Sequence, residues 1–584
     1  MKKTDPLNEA QRKAVERSEG PLLIIAGPGA GKTKTLVERI VSLVVEKKVD
    51  PSCILVATFT EKAARELVTR VSNRAAASKV EINLVDMYIG TLHSIFLRIL
   101  EEHRQDTRLK RNYRVLDDFE QRYLIYRKLA EFQALPGYAD IADATESRWN
   151  QAEAIASLVN KAAEEDLDLD RLGRSASPLL VALGAITAVY RGLLEKENAL
   201  DFSTIQSTLW LLFAEHPEVL EELRGKISYL MVDEYQDTNG IQEKILLALA
   251  APRDNICVVG DDDQALYRFR GATVRNILEF EKRFAPGTCG RIELTTNYRS
   301  HPGIIDFYNR WIGSVPAAAP WTGENGERVR HPKTIVPPEG DFPSYGSVIK
   351  VASDAGEDAW HDEALAFIKA LKDRGVLSDY NQIAFLFKSV KNDRATGLAN
   401  YLEERGVPVF SPRSGLFFTR EEIRLVIGAL GFMFPNLVRN YLKWNETAIL
   451  SEWKYYEDCI ELFASALRDD KEGNKSLLAW VAYKARYHAN LRENTNYTYT
   501  DLFYGLLAFP LFSRYLDVEL DSGAQDLRPA FNLALFSQLL VRFEFLNNVI
   551  VISPDSIQKD LRALFNQYLR FLIDGGLGEY EDFD

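Results

Sequence analysis

The chain has 584 residues, a length at which two or more domains, each with its own core, are expected. With 46% hydrophobic and 27% charged residues, its composition excludes a disordered or fibrous protein. The net charge of -13 excludes a uniformly cationic surface but still allows a locally positive groove for nucleic acid. The four widely spaced cysteines suggest neither disulfides nor a metal site. Because no secretory signal or membrane-length apolar run is evident, we expect a cytoplasmic protein without a membrane partner.

Short β-type runs alternate with helical patterns in the first third of the chain and again from about residue 230 to 300. This alternation predicts an α/β fold in which helices cover both faces of a mostly parallel sheet. Between about residues 100 and 202, charged and leucine-rich sequence replaces the strand runs and predicts a helical insertion. The runs that predict strands are PLLIIAG, CILVATF, ISYLMVDEY, ICVVGDDD and RIELTTNYR.

A stretch rich in proline and glycine, Val315 to Ser347, predicts a domain boundary. NQIAFLFKS and VPVFSP then predict strands of a second α/β segment. From about Pro435 the pattern is helical and dense in aromatics, which favours a packed helical core over a nucleic-acid stacking surface. We therefore predict a first lobe at 1–335, the first part of a second lobe at 336–434, and a helical insertion domain at 435–584.

A glycine-rich turn, AGPGAGKT, follows the first predicted strand. Its glycines allow backbone N–H groups to curl around a phosphate at the start of a helix. Lys32 can then reach the β and γ oxygens of a triphosphate, and Thr33 can offer its hydroxyl to Mg²⁺. The loop begins with alanine where the strict pattern has glycine. The predicted nucleotide contacts are Ala26, Gly27, Pro28, Gly29, Ala30, Gly31, Lys32, Thr33 and Lys34.

Two carboxylates, Asp233 and Glu234, end the apolar run ISYLMV. Ligands of α/β sheets bind at this edge, where the parallel strands end. One carboxylate can hold Mg²⁺ through water, while its neighbour orients or deprotonates an attacking water. We assign the metal to Thr33 and Asp233 and catalysis to both acids and Lys32. Together with the loop, the pair favours a hydrolase over a kinase.

The chain resembles the UvrD/Rep/PcrA-type DNA helicases of superfamily 1, because six motifs occur in the order that this family has them. The resemblance covers Leu7 to Ser300 and continues more weakly to about Leu430. The six motifs are LNEAQ, FTEKAARELVTRV, GTLHSIFLRIL, VDEYQDTN, VVGDDDQALYRFRGA and LTTNYRS. The resemblance implies a RecA-like P-loop lobe with a helical insertion, and a partial second RecA-like lobe that is interrupted by a helical insertion domain. It also implies an enzyme that hydrolyses ATP with Mg²⁺, moves 3′ to 5′ on single-stranded DNA and unwinds duplex DNA in repair, recombination or phage defence.

The resemblance further implies roles for individual residues. Gln11 would read the adenine edge, Tyr298 would stack on the adenine, and Arg39 would cover its other face. Gln264 would sense the γ-phosphate and link it to DNA, and Arg299 would reach that phosphate. The residues that match contacts to single-stranded DNA are Phe59, His93, Phe269 and Arg270.

Asp261 to Asp263, beside Gln264, could form a simple loop, lie on the magnesium side or serve a structural hydrogen-bonding role. The sequence does not choose among the three.

Two further family motifs, T-x-H-x-x-K-G-L-E and Y-V-A-x-T-R-A, are not found. Either the chain is a fragment of a longer helicase, which we favour, or a natural short form that another polypeptide completes. Both predict feeble ATP hydrolysis and no unwinding by this chain alone.

Two other functions stay open. One is a nucleotide-gated DNA-binding or regulatory subunit without productive turnover. The other, a phosphoryl-transfer enzyme on a small substrate, leaves the aromatic and arginine motifs without a role. No nuclease cluster stands out, so we expect no cutting activity.

Overall fold

The chain forms two compact units, Met1–Lys350 and Val351–Asp584. The first unit includes residues 336–350, which the sequence analysis placed in the second lobe. The computed structural model describes residues 7–77, 83–268, 271–314, 329–344, 346–350, 359–390, 392–409, 416–437, 450–516 and 528–575.

The described residues of the first unit contain a six-stranded sheet in which every pairing is parallel. Its strand order is β3-β2-β6-β7-β1-β8, and β4 and β5 form a separate parallel pair. This arrangement confirms the predicted parallel α/β fold. The strands are β1 Leu22–Ala26, β2 Ile54–Thr58, β3 Tyr88–Thr91, β4 Arg114–Leu116, β5 Ala199–Asp201, β6 Tyr229–Val232, β7 Ile256–Gly260 and β8 Gly290–Leu294.

Helices cover both faces of this sheet, which explains why its central strands read as continuous apolar runs. In β1, Leu22 and Ile24 pack into one core, whereas Leu23 and Ile25 pack into the other. Successive side chains of a strand point to opposite faces, so both faces must be apolar here. The helices of the unit outside the insertion are Glu9–Glu16, Lys32–Val41, Glu61–Ala77, Leu92–Glu102, Phe202–Glu215, Pro217–Lys226, Gly240–Ala250, Arg275–Glu279 and Pro302–Gly313.

The predicted helical insertion is present and has its own core, which includes Phe132, Ile155 and Ile186. The pair β4–β5 joins it to the main sheet region, and Asp201 at the end of β5 accepts a hydrogen bond from Gln121 at 3.0 Å. The sequence analysis did not predict this pair of short strands. The helices of the insertion are Asp118–Arg127, Leu129–Gln133, Arg148–Glu164, Leu169–Gly173 and Pro178–Lys196.

One insertion helix, Pro178–Lys196, is long and apolar enough to cross a membrane by length and composition. The sequence analysis did not single out this run. In the structure its inner face packs into the insertion core through Ile186, Tyr190 and Leu194, and Tyr190 donates a hydrogen bond to Asp201. A buried core helix satisfies the same two criteria of length and composition.

The described residues of the second unit form helices and no strands. The helix Glu421–Met433 is buried around most of its circumference, and at Gly428 a Cβ would overlap the backbone of Cys459. Because aromatics such as Phe463 and Phe503 are also buried, the predicted helical core is confirmed. The helices are Ala359–Asp373, Asp393–Glu403, Glu421–Met433, Leu450–Asp469, Lys475–Ala489, Tyr499–Leu507, Pro510–Ser513, Arg528–Leu546, Ile557–Ala563 and Arg570–Gly575.

The strand predicted in NQIAFLFKS does not form. Ile383 and Phe387 pack beside a small core of two helices, but Leu386 is 95% exposed and no strand pairs with this run in the described residues. A strand needs a neighbour for its backbone N–H and C=O groups, and a local pattern cannot supply one. VPVFSP forms no strand at Val407–Val409, and its last three residues lie outside the described part.

Candidate nucleotide site and neighbouring aromatic surface

The glycine-rich loop connects β1 to the helix Lys32–Val41. Gly29 and Gly31 have φ angles of 66° and 81°, in the left-handed region that favours glycine. A Cβ at Gly27 would overlap the end of the Ile335 side chain, which would have to move to make room for it. Gly31 is the N-cap of the helix, so the loop lies at the positive end of the helix dipole. This arrangement fits an anionic phosphate group.

β6 brings the two carboxylates to the same loop. Lys32 Nζ lies 2.5 Å from Glu234 Oε2, although the two residues are far apart in the sequence. Glu234 itself has a φ of 49°, an uncommon backbone conformation for a residue with a side chain. Asp233 is its neighbour at the strand end. The predicted cationic and acidic groups therefore meet at one place on the sheet edge.

Asp233 is buried, and its environment changes its acidity. Burial, followed by the charge of Glu234, raises the pKa of Asp233 to about 6, against the opposing effect of Lys32. Its Oδ1 accepts the backbone N–H of Glu234 at 3.0 Å. A carboxylate and the hydroxyl of Thr33 are the hard oxygen donors that Mg²⁺ prefers, so the residues present fit that ion.

Two further polar residues of the same turn were missed by the sequence analysis. Gln236 Nε2 donates to Glu234 Oε2 at 2.9 Å and to Asp237 Oδ2 at 3.2 Å. Its Oε1 accepts the backbone N–H of Asp261 at 3.0 Å, which ties the end of β7 to the end of β6. Burial and then Glu234 raise the pKa of Asp237 to about 7. The available signal was their position just after the acid pair.

Gln264 is connected to this site through one neighbour. Its Nε2 donates to Asp261 Oδ2 at 2.6 Å, and Asp261 is in turn held by Gln236. A chain of hydrogen bonds therefore runs from Lys32 through Glu234 and Gln236 to the predicted γ-phosphate sensor.

The loop after β8 lies directly on the phosphate loop. The backbone N–H of Tyr298 donates to the carbonyl of Gly29 at 3.0 Å, and a Cβ at Gly29 would lie 2.8 Å from Arg299 Cβ. The hydroxyl of Tyr298 accepts from Asn8 Nδ2 at 2.9 Å, and its ring is half-exposed. The structure thus brings both predicted residues of LTTNYRS to the nucleotide site.

Gln11 also lies beside the phosphate loop, but it is buried. Its Nε2 donates to the carbonyl of Ala30 at 3.0 Å, and its Oε1 accepts the backbone N–H of Asn8 at 3.1 Å. Both ends of its amide group therefore contact backbone in this structure, and adenine recognition by Gln11 stays a prediction.

The guanidinium of Arg39 has backbone partners in this structure, and its predicted contact with adenine stays a prediction. Its side chain is buried, and the guanidinium donates to the carbonyls of Ala14 at 2.6 Å, of Ser18 at 3.3 Å and of Arg17. These carbonyls lie at the end of the helix Glu9–Glu16, where unpaired C=O groups and the negative end of the dipole attract a cation. In this structure Arg39 therefore holds the end of that helix.

Aromatic side chains gather at the ends of β2 and β3, at the other end of the same sheet edge. The rings of Phe59 and Tyr267 lie 4.5 Å apart, and those of His93 and Phe202 lie 5.4 Å apart. Burial lowers the pKa of His93 to about 4, so its ring is neutral near pH 7. The sequence analysis named two of these four rings. Phe269 and Arg270 lie outside the described residues.

The three aspartates after β7 have a structural role. Lys333 Nζ lies within 3.0 Å of a carboxylate oxygen of each of them. Lys333 belongs to the stretch that the sequence analysis interpreted only as a boundary, yet His331, Lys333 and Ile335 are buried in the first unit. Nearby Ile335 contacts the phosphate loop at Gly27.

Comparisons with known proteins agree with this geometry. Residues 7–285 match the family model of the UvrD/REP helicase N-terminal domain, and residues 292–441 match that of the UvrD-like helicase C-terminal domain. The second match extends into the second unit, in accordance with a partial second RecA-like lobe.

The relatives include proteins named ATP-dependent DNA helicase PcrA. That of Bacillus subtilis (strain 168) is 37% identical over 328 residues, 56% of this chain and 42% of the relative. That of Staphylococcus aureus (strain Mu50 / ATCC 700699) is 34% identical over 329 residues, which are 56% of this chain and 43% of the relative. That of Leuconostoc citreum is 31% identical over 427 residues, which are 72% of this chain and 51% of the relative. The chain thus spans about half the length of the relatives it matches, and it belongs to the UvrD/Rep/PcrA-type family of superfamily 1 helicases.

Proposed function

We propose that this chain is an ATP-dependent DNA helicase or translocase. The observation that carries the proposal is the 2.5 Å contact between Lys32 of the phosphate loop and Glu234 of the acid pair. The loop that carries Tyr298 and Arg299 lies against Gly29 of the phosphate loop, which supports a role for both residues at the same site. The names of the relatives support the same activity.

Each residue then has a defined step. An incoming triphosphate takes the place of Glu234 as the partner of Lys32, and the released carboxylate orients the attacking water. Asp233 and Thr33 would hold Mg²⁺, which would neutralise charge on the phosphates. Arg299 stabilises the negative charge that spreads over the transferring phosphoryl group.

The energy of hydrolysis moves single-stranded DNA across the aromatic surface. Phe59, Tyr267, His93 and Phe202 offer rings on which bases of any sequence can stack, and Gln264 transmits the state of the γ-phosphate. We further propose, by family resemblance, movement from 3′ to 5′ on single-stranded DNA and a role in repair, recombination or phage defence. Unwinding of duplex DNA is expected only where another segment or polypeptide supplies the two motifs not found in this chain.

The test is ATP turnover by the purified chain with and without single-stranded DNA. Lys32→Ala and Glu234→Gln should each lower kcat by about 100-fold or more, because they remove charge stabilisation and water activation. Lys13→Ala is the matched control, since Lys13 forms an exposed ion pair with Glu9 on a surface helix. Turnover that survives Lys32→Ala contradicts the proposal.

A second outcome separates the alternative function. In this outcome the chain binds both ligands without any turnover: nucleotide binding weakens in Lys32→Ala, and DNA binding weakens with salt, as phosphate contacts require. In that case the chain acts as a nucleotide-gated DNA-binding subunit.

A further inference from the structure

A buried lysine is enclosed by three consecutive aspartates. Lys333 Nζ lies 3.0 Å from Asp261 Oδ1, 2.7 Å from Asp262 Oδ1 and 2.9 Å from Asp263 Oδ2. The lysine side chain is 1% exposed. A charged group leaves water at a large cost unless it is paired, so this arrangement holds one conformation firmly.

The remaining atoms of the aspartates have their own partners. Arg330 binds Asp263 through Nε at 2.6 Å and a second guanidinium nitrogen at 3.0 Å, and Tyr308 donates to Asp263 Oδ2 at 2.6 Å. The backbone N–H of His331 donates to Asp262 Oδ2 at 2.7 Å. Burial opposes the charge of Lys333, but its three carboxylate neighbours outweigh it and raise the pKa of the lysine.

The segment that carries Lys333 is anchored to the nucleotide site. The backbone N–H of Val336 donates to Thr295 O at 3.0 Å, and that of Asn297 donates to Val336 O at 2.8 Å. Asn309 exchanges two hydrogen bonds with the backbone of Ile335. These contacts fix the backbone next to Lys333 relative to the loop of Tyr298 and Arg299.

Asp261 connects the lysine to the predicted sensor. Its Oδ1 contacts Lys333, and its Oδ2 accepts the Nε2–H of Gln264 at 2.6 Å. The Gln264 side chain contains a flexible stem, so its amide group stays in place only if Asp261 does. Lys333 and the backbone N–H of Asp263, which donates to the same oxygen at 3.2 Å, together hold Asp261 Oδ1 and thereby set the direction of Oδ2.

We propose that Lys333 is a positioning residue for Gln264, acting through Asp261. The inference rests on the proposed function, since it assumes that Gln264 distinguishes a triphosphate from a diphosphate. Without Lys333, Asp261 Oδ1 keeps only the longer hydrogen bond from the backbone N–H of Asp263, so the carboxylate is held less firmly and the amide of Gln264 loses part of its fixed orientation toward the γ-phosphate. Binding of the part of the nucleotide common to ATP and ADP is unaffected.

The experiment measures Kd for ADP and for a non-hydrolysable ATP analogue with the full chain. Its readout is the preference for the analogue, Kd(ADP) divided by Kd(analogue). Gln264→Ala and Lys333→Met should each lower this preference by about three- to tenfold, in the range of coupling between contacting residues, and leave Kd(ADP) within about twofold. The double variant should be no worse than Gln264→Ala alone.

Two variants serve as controls. Arg330→Met removes a cation that pairs with Asp263 and should leave the preference within about twofold of the wild type. If Lys333→Met fails to fold, the double variant Lys333→Met/Asp262→Asn, which removes one charge of each sign, replaces it. This double variant is then combined with Gln264→Ala in the same comparison of nucleotide preference. Lys333→Arg, which keeps the charge, should restore part of the preference.

The outcomes separate the two proposals. Additive effects of Lys333→Met and Gln264→Ala, or no effect of either, overturn the positioning role while the chain still binds nucleotide through Lys32. If the wild type binds neither nucleotide, or if Lys32→Ala binds both nucleotides as tightly as the wild type does, the proposed function itself is wrong.

Discussion

Asp233 combines a buried carboxyl group with a position beside the phosphate loop. Its pKa is near 6 when folded and 3.8 when unfolded, so the folded chain holds more protons between these values. The stabilisation from this group is therefore complete below pH 3.8 and is lost as the pH rises through about 6. In its proposed role as a ligand of Mg²⁺, Asp233 must be ionised, so nucleotide binding should have the opposite dependence on pH.

We predict that the affinity for the magnesium complex of a non-hydrolysable ATP analogue falls as the pH decreases below about 6, approaching about tenfold per unit. Titration calorimetry from pH 5 to 8 measures this change. Asp233→Asn should weaken binding at pH 8 and remove the fall near pH 6, whereas Asp237→Asn should retain it. A flat profile for the wild type would refute this role of Asp233.

Arg39 permits a second prediction at the scale of one residue. Arg39→Met leaves the carbonyls of Ala14, Arg17 and Ser18 without their cation and should lower the free energy of unfolding by about 1.5–3 kcal/mol. Denaturant titration measures it. Nucleotide affinity should stay within about twofold of the wild type.

Lys34→Met is the matched comparison on the same helix. Because Lys34 is half-buried on the first turn, next to the phosphate loop, its loss should weaken nucleotide binding more than stability. The reverse pattern, with affinity lost in Arg39→Met and stability retained, would support the predicted contact of Arg39 with adenine.

At the scale of elements, the order of the strands divides one sheet edge into two surfaces. β6, β7, β1 and β8 are adjacent and carry the acid pair, Gln264, the phosphate loop and Arg299. β2 and β3 lie at the other end and are followed by Phe59 and His93. Because all six strands are parallel, both surfaces lie along the same edge, and β6 with its acid pair is the strand of the first group that borders β2.

We predict that Phe59→Ala and Tyr267→Ala each weaken binding of single-stranded DNA by about 1–3 kcal/mol, the typical value of one stacked base. Fluorescence anisotropy with a labelled oligonucleotide measures the affinity. The matched control is Phe119→Ala, since Phe119 stacks on Tyr123 within the helical insertion. Unchanged DNA affinity in both variants, or an equal loss in the control, would contradict a stacking surface here.

For the whole molecule, the two compact units predict unfolding that is not two-state. Each unit has its own core, so calorimetry should resolve two transitions. A non-hydrolysable ATP analogue at 100 times its Kd should stabilise the transition of Met1–Lys350 by about 2.7 kcal/mol. The shift should vanish in Lys32→Ala. A single calorimetric transition that shifts as a whole when the analogue binds would show that the units unfold together.

The sequence by itself determined the parts of this protein that consist of contiguous segments. The phosphate loop, the acid pair at the end of β6 and the apolar runs of the parallel sheet are each encoded within about ten residues. Parallel strands covered on both faces need apolar side chains at every position, so β1, β2 and β7 were recognisable without their neighbours. The aromatic core of the second unit followed from helical periodicity in the same way.

Only the tertiary structure decided which distant groups are partners. The sequence predicts Arg39 as an adenine contact, and only the fold places the carbonyls of Ala14 to Ser18 around it. Lys333 lay in an apparent boundary until it was found among three aspartates about 70 residues earlier in the chain. The run NQIAFLFKS has the composition of a strand but no neighbouring strand in the described residues. In each case the outcome depends on pairing of buried charges or backbone groups across the fold, which a local pattern does not specify.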